Sequence, residues 1–382
     1  MVDFEGKVYV APLTTVGNLP FRRIMKDLGA DITCGEMALG QNLLKGQASE
    51  WALLKRHACE DVFGVQVAGG HPDQMTRVAE LIRNEASVDF VDINMGCPID
   101  LVCKQGMGSA LMNKQRKVRG ILMGMTSILE VPVTVKMRVG WDDKTPTAHK
   151  IIPMIQNFSG KGVCAVMIHG RSRLQRYTKS ADWNYIREAA ASEQSWLRPL
   201  PVIGNGDIMS WQDHKQHLDE GGKNMSTCAM VGRGALIKPW LPTEIKEKRD
   251  WDISATERLD ILKKFVSYGI EHWGSDQLGV NRTRRFLLEW LSFTCRYIPA
   301  AILEVLPQRL NERPPPFFGR SDLETLLSSQ NCADWIKISE MLLGPVPEGF
   351  QFEPKHKSNS YAPSVSRGLA GVEDETEPIQ NW

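Results

Sequence analysis

Eight short runs rich in β-branched residues recur through roughly the first 240 residues, spaced too widely for hairpins and each followed by a polar-apolar stretch of helical character. They begin at Val8, Asp31, Phe63, Phe90, Val133, Cys164, Pro201 and Cys228. Strands that alternate with helices pair in parallel, because the helical crossover brings each strand back in the same direction. Eight such units in this length match a closed (β/α)8 TIM barrel over residues 1–245, with a doubly wound open sheet as the alternative. The predicted class is therefore α/β.

A barrel carries its chemistry where the strands end, since the loops there converge on one open face. The residues ending these runs are polar: Pro12-Leu13-Thr14, Glu36, Gln66, Asn94-Met95-Gly96-Cys97, Lys136-Met137-Arg138, His169-Gly170-Arg171, Asn205-Gly206-Asp207 and Gly232-Arg233-Gly234. The last two follow strands seven and eight, where barrels commonly hold a phosphate; glycine lets backbone N–H groups approach and arginine adds charge. Lys136 and Arg138 put at least one cation at the mouth. That cation suits the anionic pyrimidine edge of a reduced flavin, a salt bridge to a neighbouring carboxylate being the alternative. The Gln66 amide, donor and acceptor together, suits the same ring. Cys97 lies in a tight turn closed by Gly96 and Pro98, where a thiol serves as nucleophile or general acid, or is simply buried. A proton donor must stay a thiol near neutrality, close to the free value of about 8.5.

From Thr256 to Leu343 the strand signal disappears. Leu259, Leu262, Val266, Ile270 and Trp273 form one stripe at helical spacing, and Phe286, Leu287, Trp290 and Leu291 another. With further apolar clusters at Ile302 to Leu310 and Leu323 to Leu343, a small all-α bundle of about four helices is predicted over 255–345. Residues 349–382, rich in Pro, Ser and Asn and carrying the acidic run from Glu373 to Glu377, are predicted to be a disordered tail.

Lys+Arg of 46 against Asp+Glu of 45 leaves a net charge of +1, so a nucleic-acid partner must meet a local patch. Two patches are candidates. One runs from His169 to Lys179, with Arg171, Arg173, Arg176 and Tyr177; the other runs from Arg282 to Arg320, with seven arginines against Glu289, Glu304 and Glu312. Mixtures of guanidinium and aromatic rings hold non-helical RNA. No run approaches the roughly 18 apolar residues of a membrane span. The opening Met1-Val2-Asp3-Phe4-Glu5 lacks a basic leader, and the eight cysteines form no Cys-x-x-Cys pair. Reduced thiols, no membrane and no metal are the expectations.

Read in order, Pro12-Leu13-Thr14-Thr15 with Asn18-Leu19-Pro20-Phe21-Arg22-Arg23, Asp92-Ile93-Asn94-Met95-Gly96-Cys97-Pro98, Lys136-Met137-Arg138, His169-Gly170-Arg171, Asn205-Gly206-Asp207-Ile208 and Gly232-Arg233-Gly234-Ala235 resemble the tRNA-dihydrouridine synthases. Those are FMN-dependent barrel enzymes that reduce uridine in tRNA. The resemblance runs from residue 8 to 345, and the stretches Ser49 to His57 and Arg284 to Phe293 further resemble the eukaryotic position-47 branch, which targets the variable loop. That branch's amino-terminal Cys/His zinc fingers are not among these 382 residues, and Met107 departs from the family's denser glycine pattern after the cysteine.

The resemblance implies that Pro12, Leu13, Thr14, Gln66, Lys136, His169, Asn205, Gly206, Asp207, Gly232 and Arg233 contact FMN, with Cys97 as proton donor. NADPH or NADH is the expected reductant, hydride going to C6 of the uracil and the proton to C5. Candidate RNA contacts are Asn94, Arg171, Tyr177, Arg282, Arg284 and Arg285, the last three in a helical region expected to grip tRNA. The expected protein is a monomer of the cytoplasm or nucleus acting on tRNA and other RNAs, with mRNA processing among its roles. Two other readings stay open: an FMN barrel reducing a free small molecule, and a non-catalytic RNA-binding barrel.

Overall fold

The computed structural model describes residues 2–176, 179–191, 200–221, 225–310, 312 and 316–355. Its eight barrel strands are Tyr9–Val10, Ile32–Cys34, Val62–Ala68, Phe90–Met95, Val133–Arg138, Val163–His169, Val202–Asn205 and Met225–Val231. Each pairs in parallel with the next, and Tyr9 bridges both Ile32 and Met230, closing the ring. A two-residue strand, Ala38–Leu39, not marked in the sequence, extends the third barrel strand by pairing with Val67 and Ala68.

The end of the barrel where the strands begin is plugged. Phe4, Tyr9 and Phe90 meet there with ring centroids 6.0 to 6.2 Å apart, and Met167, Ile203 and Met230 fill the interior with them. Gly64 makes the plug possible, since a Cβ on it would stand 2.2 Å from the Phe90 ring. Water and ligands therefore enter only from the opposite face, where the polar strand ends lie.

Among the described residues four α-helices follow residue 250: Ala255–Trp273, Gln277–Thr294, Asp322–Ser328 and Cys332–Leu343. The first begins with a reciprocal Ser254–Glu257 capping box, and its buried stripe runs through Arg258, Leu262, Phe265, Val266 and Gly269, displaced from the predicted one. The Ile302 to Leu310 cluster forms no α-helix: only Ala300–Ile302 makes a 3₁₀ turn, and Val305 and Leu306 are exposed. The bundle shares one hydrophobic core with the barrel's outer shell. Trp290 is the joint, packed edge-on to Phe21 at 5.4 Å and tilted against Phe265 at 5.0 Å, its indole N–H donating to the Leu236 carbonyl at 3.0 Å.

The predicted tail needs correction at its start. Phe350 and Phe352 pack against the core, and the Lys355 N–H donates to the buried Glu289 carboxylate at 3.1 Å. The acidic run lies outside the described residues.

Candidate active site

Parallel register sorts the polar strand ends into tiers, because paired residues share a face. Gln66 stands beside Asp92, and Asp92 beside Thr134. Nearer the mouth, Asn94 stands beside Lys136, Arg138 beside His169, and His169 beside Asn205.

The deeper tier is a closed hydrogen-bond network. Gln66 Nε2 donates to Asp92 Oδ2 at 2.6 Å, Thr134 Oγ1 donates to Asp92 Oδ1 at 2.7 Å, and Asn94 Nδ2 donates to Gln66 Oε1 at 2.7 Å. Burial pushes the Asp92 carboxyl up to about 6 despite these bonds. The network reaches the cysteine turn through Asn94, whose Oδ1 accepts the N–H of Gly96 at 3.1 Å and of Cys97 at 2.9 Å. Arg138 clamps the turn from the other side: Nε donates to the Gly96 carbonyl at 2.8 Å and Nη1 to the Ser172 carbonyl at 2.9 Å. Burial holds the Cys97 thiol above its ordinary value. At neutral pH it is a thiol, the form of a general acid rather than of a nucleophile.

Beside this turn a cavity opens between Pro12-Leu13, Lys136, His169, Asn205 to Ile208, Gly232-Arg233 and Leu310. Lys136 Nζ reaches Asn205 Oδ1 at 3.4 Å, and burial, helped by Arg138, lowers its ammonium to about 8. Burial and the surrounding Arg138, Lys136, Arg171 and Arg233 hold His169 well below its ordinary value, so its ring is neutral with one donor and one acceptor. Asp207, in the left-handed region at φ 57°, accepts Arg171 and lies 3.5 Å from Arg233 Nη2. A Cβ on Gly232 would meet nothing nearer than Asn205 Nδ2 at 3.8 Å, which leaves its backbone open to the cavity.

The sequence model of the family described as "Dihydrouridine synthase (Dus)" matches residues 9–292. The chain belongs to the dihydrouridine synthase family. It is 60% identical over 360 residues to the "tRNA-dihydrouridine(47) synthase [NAD(P)(+)]-like" protein of Rattus norvegicus, covering 94% of this chain and 54% of that one. Its identity to the Homo sapiens protein of the same name is 59% at the same coverage. The Arabidopsis thaliana protein of that name is 56% identical over 361 residues, 94% of this chain and 51% of its own. The chain spans about half the length of the curated relatives it matches.

On this dihydrouridine synthase barrel most residues expected at the cofactor line one cavity, but Thr14 and Gln66 do not. Thr14 is exposed, while its neighbour Thr15, at φ 75°, donates its N–H to Glu36 at 2.6 Å and so sets the Pro12-Leu13 turn. Gln66 lies beneath the wall, bonded to Asp92 and Asn94. Asn94 is likewise buried, and its side chain holds the Cys97 turn and so positions the thiol.

Two arginines expected at RNA are corrected. Arg171 is fully buried, bidentate on Asp207 at 2.6 and 2.9 Å and donating to the Lys179 carbonyl at 2.6 Å. Arg284 is buried under the helix Cys332–Leu343, bonded to Ser339 Oγ at 2.8 Å and to the Gly344 carbonyl at 2.8 Å, where it satisfies the helix C-terminus. Arg282 and Arg285 are exposed, and Tyr177 lies outside the described residues. Sequence reasoning missed the roles of Asp92 and of Arg138 as a clamp, although both stand in quoted motifs. It placed Leu310 in an apolar cluster of the bundle and not at the site, yet Leu310 reaches the cavity from beyond the matched 9–292 region.

Proposed function

We propose that this chain reduces a uridine of tRNA, at position 47 in the variable loop, to 5,6-dihydrouridine, using FMN and NADPH or NADH. The observation that carries the reading is a protonated Cys97 on a turn held from both sides, by Asn94 and Arg138, at the rim of a cationic cavity. Family membership supports the reaction, and the names of relatives at 56 to 60% identity support the position.

The cavity's residues suit FMN. Gly232 leaves backbone accessible where a phosphate would lie, Arg233 adds charge there, and Gly206 at φ 129° shapes the neighbouring loop. Lys136 would stand at the pyrimidine edge, since an ammonium already lowered to about 8 gains most from a nearby anion. Neutral His169 offers a hydrogen bond without adding charge, and Pro12 and Leu13 supply an apolar wall. When bound, FMN supplies the hydride that adds to C6. Cys97 Sγ–H then delivers the proton to C5, and the thiolate recovers a proton from solvent. The uridine must leave its stack to bring C5 and C6 to this mouth. Exposed Arg282 and Arg285 on the bundle would contact tRNA phosphates.

The test is a purified protein that releases FMN on denaturation and, with NADPH, converts an unmodified tRNA transcript while leaving the same transcript with cytidine at position 47 untouched. A protein that takes up no FMN, or one that treats both transcripts alike, overturns the reading.

A further inference from the structure

On the outer side of the barrel, where the helix Leu19–Asp27 meets Ala255–Trp273, a crevice is walled by Arg23, Lys55, Arg56, His57, Glu271 and His272. Leu19, also in its wall, starts the helix that follows the Pro12 to Asn18 loop. It belongs to none of the machinery described above.

Its charges are unequally committed. Arg23 bonds Glu271 at 2.8 Å and lies 3.6 Å over the Tyr268 ring. Arg56 is held by the Glu60 and Asp61 carbonyls and by Asp89 at 2.9 Å. Lys55 is exposed, with no ion pair among the described residues. His57 Nδ1 accepts the Cys59 N–H at 3.2 Å and lies 3.1 Å from Cys59 Sγ, so Nε2 is the ring nitrogen left for a ligand. With Arg23 paired to Glu271 and Arg56 to Asp89, Lys55 is the wall's uncompensated cation among the described residues, a local excess of one positive charge able to attract an anion.

The surroundings say which anion. The His272 ring lies 5.2 Å from Trp273, and Trp273 stacks on Phe286 at 4.7 Å and 17°. Phe286 adjoins Arg285 and follows Arg282 by one helical turn, and both arginines are exposed. Cations spaced along a surface with aromatic rings between them match a polynucleotide, whose charges repeat and whose bases offer flat faces. We propose that this crevice binds a backbone phosphate of the RNA substrate, with Lys55 as its ion pair and His57 Nε2 as a hydrogen-bond donor. The inference rests on the RNA reading above and extends it to a second contact region on the barrel's flank.

The experiment titrates an unmodified tRNA transcript against the FMN-loaded protein over a salt series, for the unsubstituted chain, Lys55→Gln and His57→Gln. Lys55 is exposed, so Lys55→Gln should keep its melting temperature and flavin content. It should bind tRNA more weakly, with a log K against log salt slope shallower by about 0.7 to 0.9, the value for one released counterion. His57→Gln should weaken binding as well, since the donor at Nε2 is lost. A folded, flavin-loaded Lys55→Gln with the original affinity and slope overturns the inference and leaves uridine reduction standing; the crevice would then serve an anion other than RNA. Weaker binding by Lys55→Gln with an unchanged slope also overturns it. If the unsubstituted protein does not bind tRNA, both readings fall.

Discussion

At the barrel mouth Arg138 and Arg171 are buried and bonded to backbone carbonyls and, for Arg171, to Asp207; on the bundle Arg282 and Arg285 stand in solvent around a buried Arg284. A buried guanidinium keeps its charge only where acceptors meet its donors, and such an arginine holds shape. An exposed one has its donors in water and can exchange that water for a phosphate. The two regions therefore differ in kind: the mouth's buried arginines brace the turn carrying Cys97 and the loop carrying Asp207, and the bundle's exposed pair is left available to the proposed RNA.

This contrast breaks first at Arg171. Removing it takes the bidentate partner from the Asp207 carboxylate, which keeps the Ala181 N–H at 2.7 Å and Arg233 at 3.5 Å. Arg171→Ala should cost about 3–5 kcal/mol in urea unfolding and should lose FMN. A cost under 1 kcal/mol would show that the pair is not structural. Arg284→Ala should cost less, about 1–3 kcal/mol, because neutral carbonyls rather than a charge are left unpaired. Its tRNA affinity, measured below the melting transition, should be that of the parent; weaker binding there would restore Arg284 as an RNA contact.

A pH series sharpens the electrostatics of the mouth. The Lys136 ammonium is lowered to about 8, so FMN affinity should fall as pH rises through about 8, approaching tenfold per unit, and Lys136→Met should flatten that dependence. The sign for stability is the reverse. The unfolded lysine holds its proton to about 10.4, so the flavin-free protein gains stability from this group between about 8 and 10.4. The smallest stability effect belongs to the exposed pair. Arg282→Ala with Arg285→Ala should move unfolding by no more than about 0.5 kcal/mol yet make the tRNA salt slope shallower by about 1.4 to 1.8. A parental slope would leave recognition to other surfaces.

The strands are legible in the sequence because each pairs a β-branched run with a polar end and because crossover length forces parallel pairing. The cysteine turn is legible because Gly96 and Pro98 bracket it. What stays hidden is how far a side chain travels for its partner: Arg171 and Asp207 are 36 residues apart, and Arg284 and Ser339 are 55 apart. No local pattern separates Arg284 from Arg285, yet one lies under a helix end and the other in water. Leu310 is hidden for the same reason, and Asn94 shows the converse, a residue in a visible motif whose side chain turns inward to hold the loop.

The role proposed for Cys97 is to supply the proton to C5 and nothing else. The direct measurement takes Cys97→Ala loaded with FMN, follows flavin reduction by NADPH in one experiment, and follows reoxidation by unmodified tRNA in single turnover. Flavin reduction should match the parent, while reoxidation by tRNA should slow by about 10²- to 10⁴-fold, the usual contribution of a general acid. Reoxidation at the parental rate would contradict the assignment of Cys97 and, with it, the reading of the turn that Asn94 and Arg138 hold.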